Sequence, residues 1–443
     1  MRNFLRLFGS ALALLCVGFG LSWLWVMPKG ELKGVWQTDG YGLVIDVSSL
    51  WIDVYEQTKV SCLHQSRIPS HLSLVNWLED VTFGIEEDRL RLDVSGVLNP
   101  IMADGIAVLP DICRTATPNA PGTAQENFDV AWQVMQEHYA FFDLHGVDWS
   151  EKRKTLRPAA DAVLDDTALF ALLSKLLTGL DDGHTYIQTP GDGFSPELTD
   201  PWHAERVAFS KVTAGAVRDG LTKVDGSQLS YGWLTPDIGF ISFAGMSVAS
   251  VAGHTDAAVA TKALAVVAQE LAAAKAIVLD IRFNPGGSDD VALAYASFFV
   301  DGGVPAFTKS TRSASGYTLP FTALIPDTPI SFDQPSLLLT SNYSASAAEI
   351  FALAMQPLEH VQSMGTTTSG GLSDIMEVTL PNGWQLGFSH QRYLTLDGVL
   401  YEGIGVPAHW PRVMDVSGFR AGNDSLLEEA KQHLTAKISV VSD

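Results

Sequence analysis

Three polar residues of this chain are of the types that acyl chemistry uses: Ser346, His184 and Glu402. Ser346 lies in SNYSASAAEIF (341–351), directly after the apolar run PSLLLT (335–340). A serine at a strand-to-helix turn presents its hydroxyl beside the positive end of a helix, which can hold an oxyanion. Ser346 with Glu349 also fits the S-x-x-E capping box, a purely local role, and both readings stand at this point. A serine nucleophile needs a base, histidine or lysine. No lysine occurs between Lys309 and Lys431, so a lysine in the segment following the serine is excluded. His184, in LDDGHTYI, follows an apolar helical segment and sits in a turn made by Asp181, Asp182 and Gly183. Glu402, in the Gly-rich LYEGIGVPAHW, is the candidate to orient and charge-balance the imidazole. In NPGG (284–287), Pro285 sets a turn, and Gly286 or Gly287 can aim a backbone N–H at a ligand. With the N–H of Ala347 it would make an oxyanion hole. Each piece alone has a plain alternative: a tight turn, a solvated loop histidine, a solvent-facing loop glutamate.

The elements that must position these residues are legible from periodicity. DIGFISFAG and the all-apolar AIVLDIR read as strands, and DAAVATKALAVVAQELAAAK as a long Ala-rich helix between them. DDVALAYASFFV (helix), PSLLLT (strand) and SAAEIFALAMQ (helix) continue the alternation. That order predicts an α/β fold with a largely parallel, covered sheet, whose active sites sit at the carboxyl ends of strands. RFNPGGSDD and SNYSASAAE both fall at such ends. Upstream, NFDVAWQVMQEHYAFF and DDTALFALLSKLLTGL read as amphipathic helices, and residues 33–114 as β-rich. The expected division is 1–30 anchor or signal segment, 31–114 small β-domain, 115–124 linker and 125–190 helical subdomain ending in the His184 turn. An irregular connection (191–235), an α/β core (236–415) and a C-terminal helix and tail (416–443) complete it.

The chain has 443 residues, 47% of them hydrophobic, and a formal charge of −22. Without a basic stripe, nucleic-acid binding and adsorption to anionic lipid are not expected. Arg2 and Arg6 precede an apolar run, residues 7–27, long enough to span a bilayer and followed by no A-x-A site. An uncleaved membrane anchor is therefore expected, a cleaved signal peptide being the alternative. Either way the remainder is exported to the cell envelope, on the periplasmic or extracellular side. In that oxidising compartment Cys62 and Cys113 can form a disulfide, or remain two buried thiols. No zinc spacing occurs.

VLDIRFNPGG, SASAAEI, LDDGHTY and YEGIGVP resemble, in order and context, the tail-specific (C-terminal processing) serine peptidases over roughly residues 125–415. The resemblance implies a ClpP/crotonase-like ββα spiral core. Two departures point to one branch. The best-known members carry a catalytic lysine in a loop after the nucleophilic helix, where this chain reads GTTTSGGLS with Gly371 at the lysine position. Too little chain separates His184 from Asp237 for the usual PDZ domain. Both features are similar to the tricorn protease core and the repeats of interphotoreceptor retinoid-binding protein. The tricorn pattern of serine, histidine and later glutamate maps onto Ser346, His184 and Glu402, although Gly183 replaces the serine that precedes the tricorn histidine. The resemblance implies a serine endopeptidase acting on polypeptides without a cofactor. A binding protein for apolar ligands on the same fold, or an esterase, is the alternative. Ser344 would then be the helix cap.

Overall fold

The computed structural model of the protein describes residues 30–70, 81–114, 122–197, 199–300 and 302–441. The apolar run at 7–27 lies outside them. Among the described residues no helix is long and apolar enough to cross a membrane. The chain forms two compact units, one running to His138 with Ser313–Gly316 and Leu380–Gly383, the other formed by the rest. The helix Ala124–His138 belongs to the first unit, and Trp149–Ala160 and Asp166–Leu177 to the second, so the stretch read as one helical subdomain is divided.

In the first unit seven antiparallel strands, from Gly34–Thr38 to Ile101–Ile106, are arranged in the order 4-3-2-1-7-6-5. Successive side chains of a strand face opposite ways, so one face collects Trp36, Ile45, Ile52, Leu90, Leu92 and Ile101 into a core. Cys62 and Cys113 are disulfide-bonded and tie the fourth strand to the short helix Asp111–Arg114.

The second unit is built on a seven-stranded sheet. Its strands, in spatial order, are Arg218–Lys223, Ser227–Trp233, Ile238–Val248, Ala276–Asp280, Ser336–Thr340, Val361–Gly365 and Trp410–Pro411. The first three pair antiparallel and the rest parallel. Helices Asp256–Glu270, Asp289–Ala296 and Ala347–Met355 each fall between two successive parallel strands of this sheet, the α/β order expected from the alternation. Every residue of Ala276–Asp280 and Ser336–Thr340 is buried, which is why both read as continuous apolar runs. Val278, Leu337 and Leu339 pack with Leu427, Ala430 and Leu434 of the C-terminal helix Ser425–Val441. Residues 191–235, expected to be irregular, instead hold a 3-10 turn (Pro201–Glu205), a helix (Arg206–Gly215) and three strands, the first of them only Gly193–Phe194. The edge strand Arg218–Lys223 is exposed along nearly its whole length, so no apolar alternation marks it in the sequence.

One buried ion cluster fastens the carboxyl end of the central strand. The Arg282 guanidinium, 0% exposed, meets Asp280 and Asp424 at 2.7 Å each, and Asp424 also accepts from Thr213 at 2.7 Å. Burial alone would raise the Asp424 carboxyl, but the Arg282 charge and hydrogen bonds hold it below its usual value. Removing one member strands a buried charge. Asp424→Ala is expected to cost about 3–5 kcal/mol in urea unfolding. A loss below about 1 kcal/mol would show that the cluster is not a fastening point.

Candidate active site

Two turns meet at the ends of adjacent parallel strands. Ser344 Oγ donates to Ile281 O at 2.8 Å, Ser341 Oγ to Arg282 O at 2.5 Å, and Ala345 N–H to Asn284 O at 3.2 Å. The serines thus lace the 341–346 turn to the NPGG turn. Ser344 is not the helix cap it was expected to be. Its hydroxyl is spent on Ile281 and on the N–H of Ser341, and Ser346 is the N-cap of Ala347–Met355.

Ser346 has φ 55° and ψ −127°, a conformation that disfavours any residue with a Cβ. Such strain at a sharp strand-to-helix turn lifts a serine hydroxyl clear of its neighbours. Gly286 lies so close that a Cβ there would stand 2.6 Å from Ser346 Cβ, and a Cβ on Gly287 would stand 2.1 Å from Met246 O. Only glycine lets both backbones approach. The Gly286 N–H donates to Asn284 Oδ1 at 2.8 Å. That leaves the N–H groups of Gly287 and Ala347, among the expected donors, open to a ligand.

The Ser346 turn is held from behind by Glu349, 0% exposed. Its carboxylate accepts from Ser346 N–H (3.1 Å), Gly370 N–H (2.7 Å), Gly371 N–H (2.8 Å) and Thr368 Oγ1 (2.5 Å). The Ser346 N–H is shared with Gly371 O at 3.0 Å. Glu402, 4% exposed, takes the next two donors of the same loop, Leu372 N–H at 2.9 Å and Ser373 N–H at 3.0 Å. Burial raises the Glu402 carboxyl well above its ordinary value, and the nearby Asp182 and Glu349 carboxyls push it the same way.

His184 is half-buried. Its backbone N–H donates to Asp182 Oδ1 at 2.8 Å, and Asp182 also accepts from Tyr139 OH (2.9 Å) and Ser389 Oγ (3.1 Å). His184 Nδ1 is buried with no hydrogen-bond partner. A cavity of about 440 Å³ brings His184 and Glu402 together with Pro285, Ala345, Gly370 and Gly371, the immediate neighbours of Ser346 and of the NPGG glycines. His145, His203, Arg206 and Glu197 also line it, and nothing in their sequence setting marks them. Asp182 was missed as a support, and Glu349, read as the capping-box partner of Ser346, also holds Thr368, Gly370 and Gly371. The sole signals were LDDGH itself and the capping-box spacing. Among the described residues no cluster of side chains suits a metal ion.

Burial pushes Glu349 up to about 7, outweighing its four donors. A carboxyl held above its unfolded value binds its proton more tightly in the native state. Its contribution to stability is therefore complete below about pH 4.5 and lost as pH rises through about 7. Glu349→Gln is expected to flatten this part of the stability–pH curve, by on the order of 3 kcal/mol, in chemical unfolding across that range. Identical slopes in variant and wild type would contradict it.

Residues 237–411 match Peptidase family S41, and residues 122–178 match the Tricorn protease C1 domain. A carboxy-terminal-processing protease of Bartonella bacilliformis is 30% identical over 132 residues, covering 30% of this chain and 30% of that protein. The carboxy-terminal processing protease CtpA of Bacillus subtilis is 27% identical over 125 residues, covering 28% and 26%. The matched stretch thus spans under a third of the length of either relative. Among solved structures, a protein of Parabacteroides merdae described as a candidate peptidase is similar in fold. It has a TM-score of 0.61 at 22% identity, over 71% of this chain and 97% of that one. Mature CPAF gives 0.53 at 13%, over 72% and 98%. With the S41 match lying over the spiral core and both of its strand-end turns, residues 237–411 form a domain of peptidase family S41.

Proposed function

We propose that the protein is a serine endopeptidase that hydrolyses polypeptides through an acyl-enzyme, with Ser346 as nucleophile, His184 as base and Glu402 as the residue that orients and charge-balances His184. The observation that carries this is the strained Ser346, held at a helix N-terminus against Gly286, beside a cavity lined by His184 and Glu402. The naming of both matched relatives as carboxy-terminal processing proteases supports a polypeptide substrate.

In this mechanism His184 takes the proton of Ser346 Oγ as the oxygen attacks the peptide carbonyl. The developing oxyanion is held by the N–H groups of Gly287 and Ala347, the latter aided by the positive end of the helix. His184 then gives its proton to the leaving amine, and water attacks the acyl-enzyme with the same base. His184 Nδ1, buried without a partner, is the atom from which an imidazolium would donate to Glu402 once substrate tightens the site. The positive charge on His184 favours ionisation of Glu402 at the moment it is needed. Gly371 stands where related enzymes place a lysine. A Cβ there would find just Glu349 Oε2, at 3.9 Å, so steric exclusion is not the reason for glycine.

The disulfide and the apolar run at 7–27 support an exported enzyme held in the envelope by its N-terminus. The first experiment is incubation of the chain with casein, fragments being followed by mass spectrometry. Wild type is expected to cleave. Ser346→Ala and His184→Ala are each expected to lose at least about a thousandfold in kcat, and Glu402→Gln less. Cleavage by Ser346→Ala at the wild-type rate would remove Ser346 as nucleophile.

A further inference from the structure

The last lysine before the nucleophile, Lys309, lies in the strand Pro305–Ser313 and is 2% exposed. It does not line the cavity, yet it joins the two loops that do. Its ammonium donates to Asp374 Oδ2 at 2.6 Å and to Tyr393 OH at 2.7 Å. Tyr393, paired with it across antiparallel strands, donates in turn to Asp289 Oδ2 at 2.7 Å. Asp289 is the first residue of the helix Asp289–Ala296, two positions after Gly287. Asp374 directly follows Leu372 and Ser373, whose N–H groups hold Glu402. Ser373 is itself fixed between Asp374 and the strand that carries Tyr393 (Gln391–Leu394), since its hydroxyl donates to Asp374 O at 3.0 Å and accepts from Gln391 N–H at 3.0 Å.

We propose that Lys309 and Tyr393 are positioning residues of the active site: the Asp374–Lys309–Tyr393–Asp289 chain sets the spacing between the NPGG turn and the loop that carries Glu402. The geometry requires both parts. A buried ammonium with two oxygen partners in fixed directions defines a distance, which non-directional apolar packing does not. An oxyanion donor and the residue that orients the base must hold mutual register to within about 0.5 Å for catalysis. A displacement near 1 Å, even from a change far from the chemistry, costs on the order of a hundredfold. The proposal rests on the serine-peptidase reading and adds two residues that touch neither substrate nor nucleophile.

The test uses the full chain and two readouts: peptide turnover, and the labelling rate of Ser346 by a fluorophosphonate, which needs no cognate substrate. Tyr393→Phe keeps the ring and breaks the chain at its middle. It is expected to lower kcat by about ten- to a hundredfold with KM unchanged within about twofold, and to slow labelling in parallel. Asp289→Asn still offers an amide oxygen to Tyr393 OH and is expected to stay within about threefold of wild type, whereas Asp289→Leu falls to the Tyr393→Phe level. Lys309→Met leaves Asp374 without its cation and can fail to fold, which is why the Tyr393 and Asp289 variants carry the test. Wild-type kcat and labelling in folded Tyr393→Phe and Asp289→Leu would overturn the positioning role while leaving the peptidase intact. Absence of turnover and of labelling at Ser346 in the wild type would overturn the peptidase reading, and this proposal with it.

Discussion

Four consecutive backbone N–H groups, Gly370 to Ser373, are divided two and two between the buried carboxyl groups of Glu349 and Glu402. Glu349 also takes the N–H of Ser346, so the Ser346 turn, the 370–373 loop and the Glu402 loop share one set of hydrogen bonds. An unpaired buried donor or acceptor costs roughly 1–3 kcal/mol. No member of this set can therefore shift without leaving partners unsatisfied, and the loops keep register although none is a regular element. Further bonds close the same layer. Gly403 N–H donates to Gly370 O at 2.7 Å, and Val406 N–H to Thr368 Oγ1 at 2.7 Å.

That rigidity is what allows the strain at Ser346. A residue in so sparsely populated a conformation costs roughly 1–3 kcal/mol and persists where its surroundings over-determine it. Here the surroundings are the carboxylate of Glu349 behind the turn, the carbonyl of Gly371 above it and Gly286 pressed against its side chain. The hydroxyls of Ser341 and Ser344 lace this turn to the carbonyls of Arg282 and Ile281, directly before the NPGG turn. Serines among alanines therefore divide their labour. Two are structural, and one is left at the apex beside the cavity.

The charge buried beneath the site serves geometry more than stability. Arg282 with Asp280 and Asp424, and Lys309 with Tyr393 and Asp289, each replace what could have been apolar core. Buried ion pairs of this kind often return little net stability, because desolvation offsets the attraction. Both clusters lie at the carboxyl ends of strands or directly behind them, where the turns must be aimed. Directional bonds aim a backbone, and apolar contacts do not.

How much of this could be read from the sequence follows from the range of each interaction. The alternation of apolar strands and helices over residues 236–415 and the seams at NPGG and SNYSAS were legible, because local periodicity and short motifs carry them, while Ser346, His184 and Glu402 were put forward as one set by the family resemblance. The pairing of Cys62 with Cys113 was open in the sequence and was decided by the sheet that brings them together. Other features depended on contacts between residues far apart in the chain. Ser344 as lacing and not as cap, Gly286 with its N–H turned to Asn284, and Asp182 and Glu349 as supports each depend on a partner that tertiary packing brings close. The segment 191–235 was illegible because its edge strand is exposed, and an exposed strand needs no apolar alternation. Lys309 was visible in the sequence chiefly as the start of a lysine-free stretch. Its place behind the site is a property of strand pairing, since Tyr393 becomes its neighbour across the ladder from 84 residues away. The sequence by itself determined which chemistry the chain can carry. Tertiary structure decided which groups hold that chemistry in register, because hydrogen bonds that aim a loop are made by whatever the fold places opposite it.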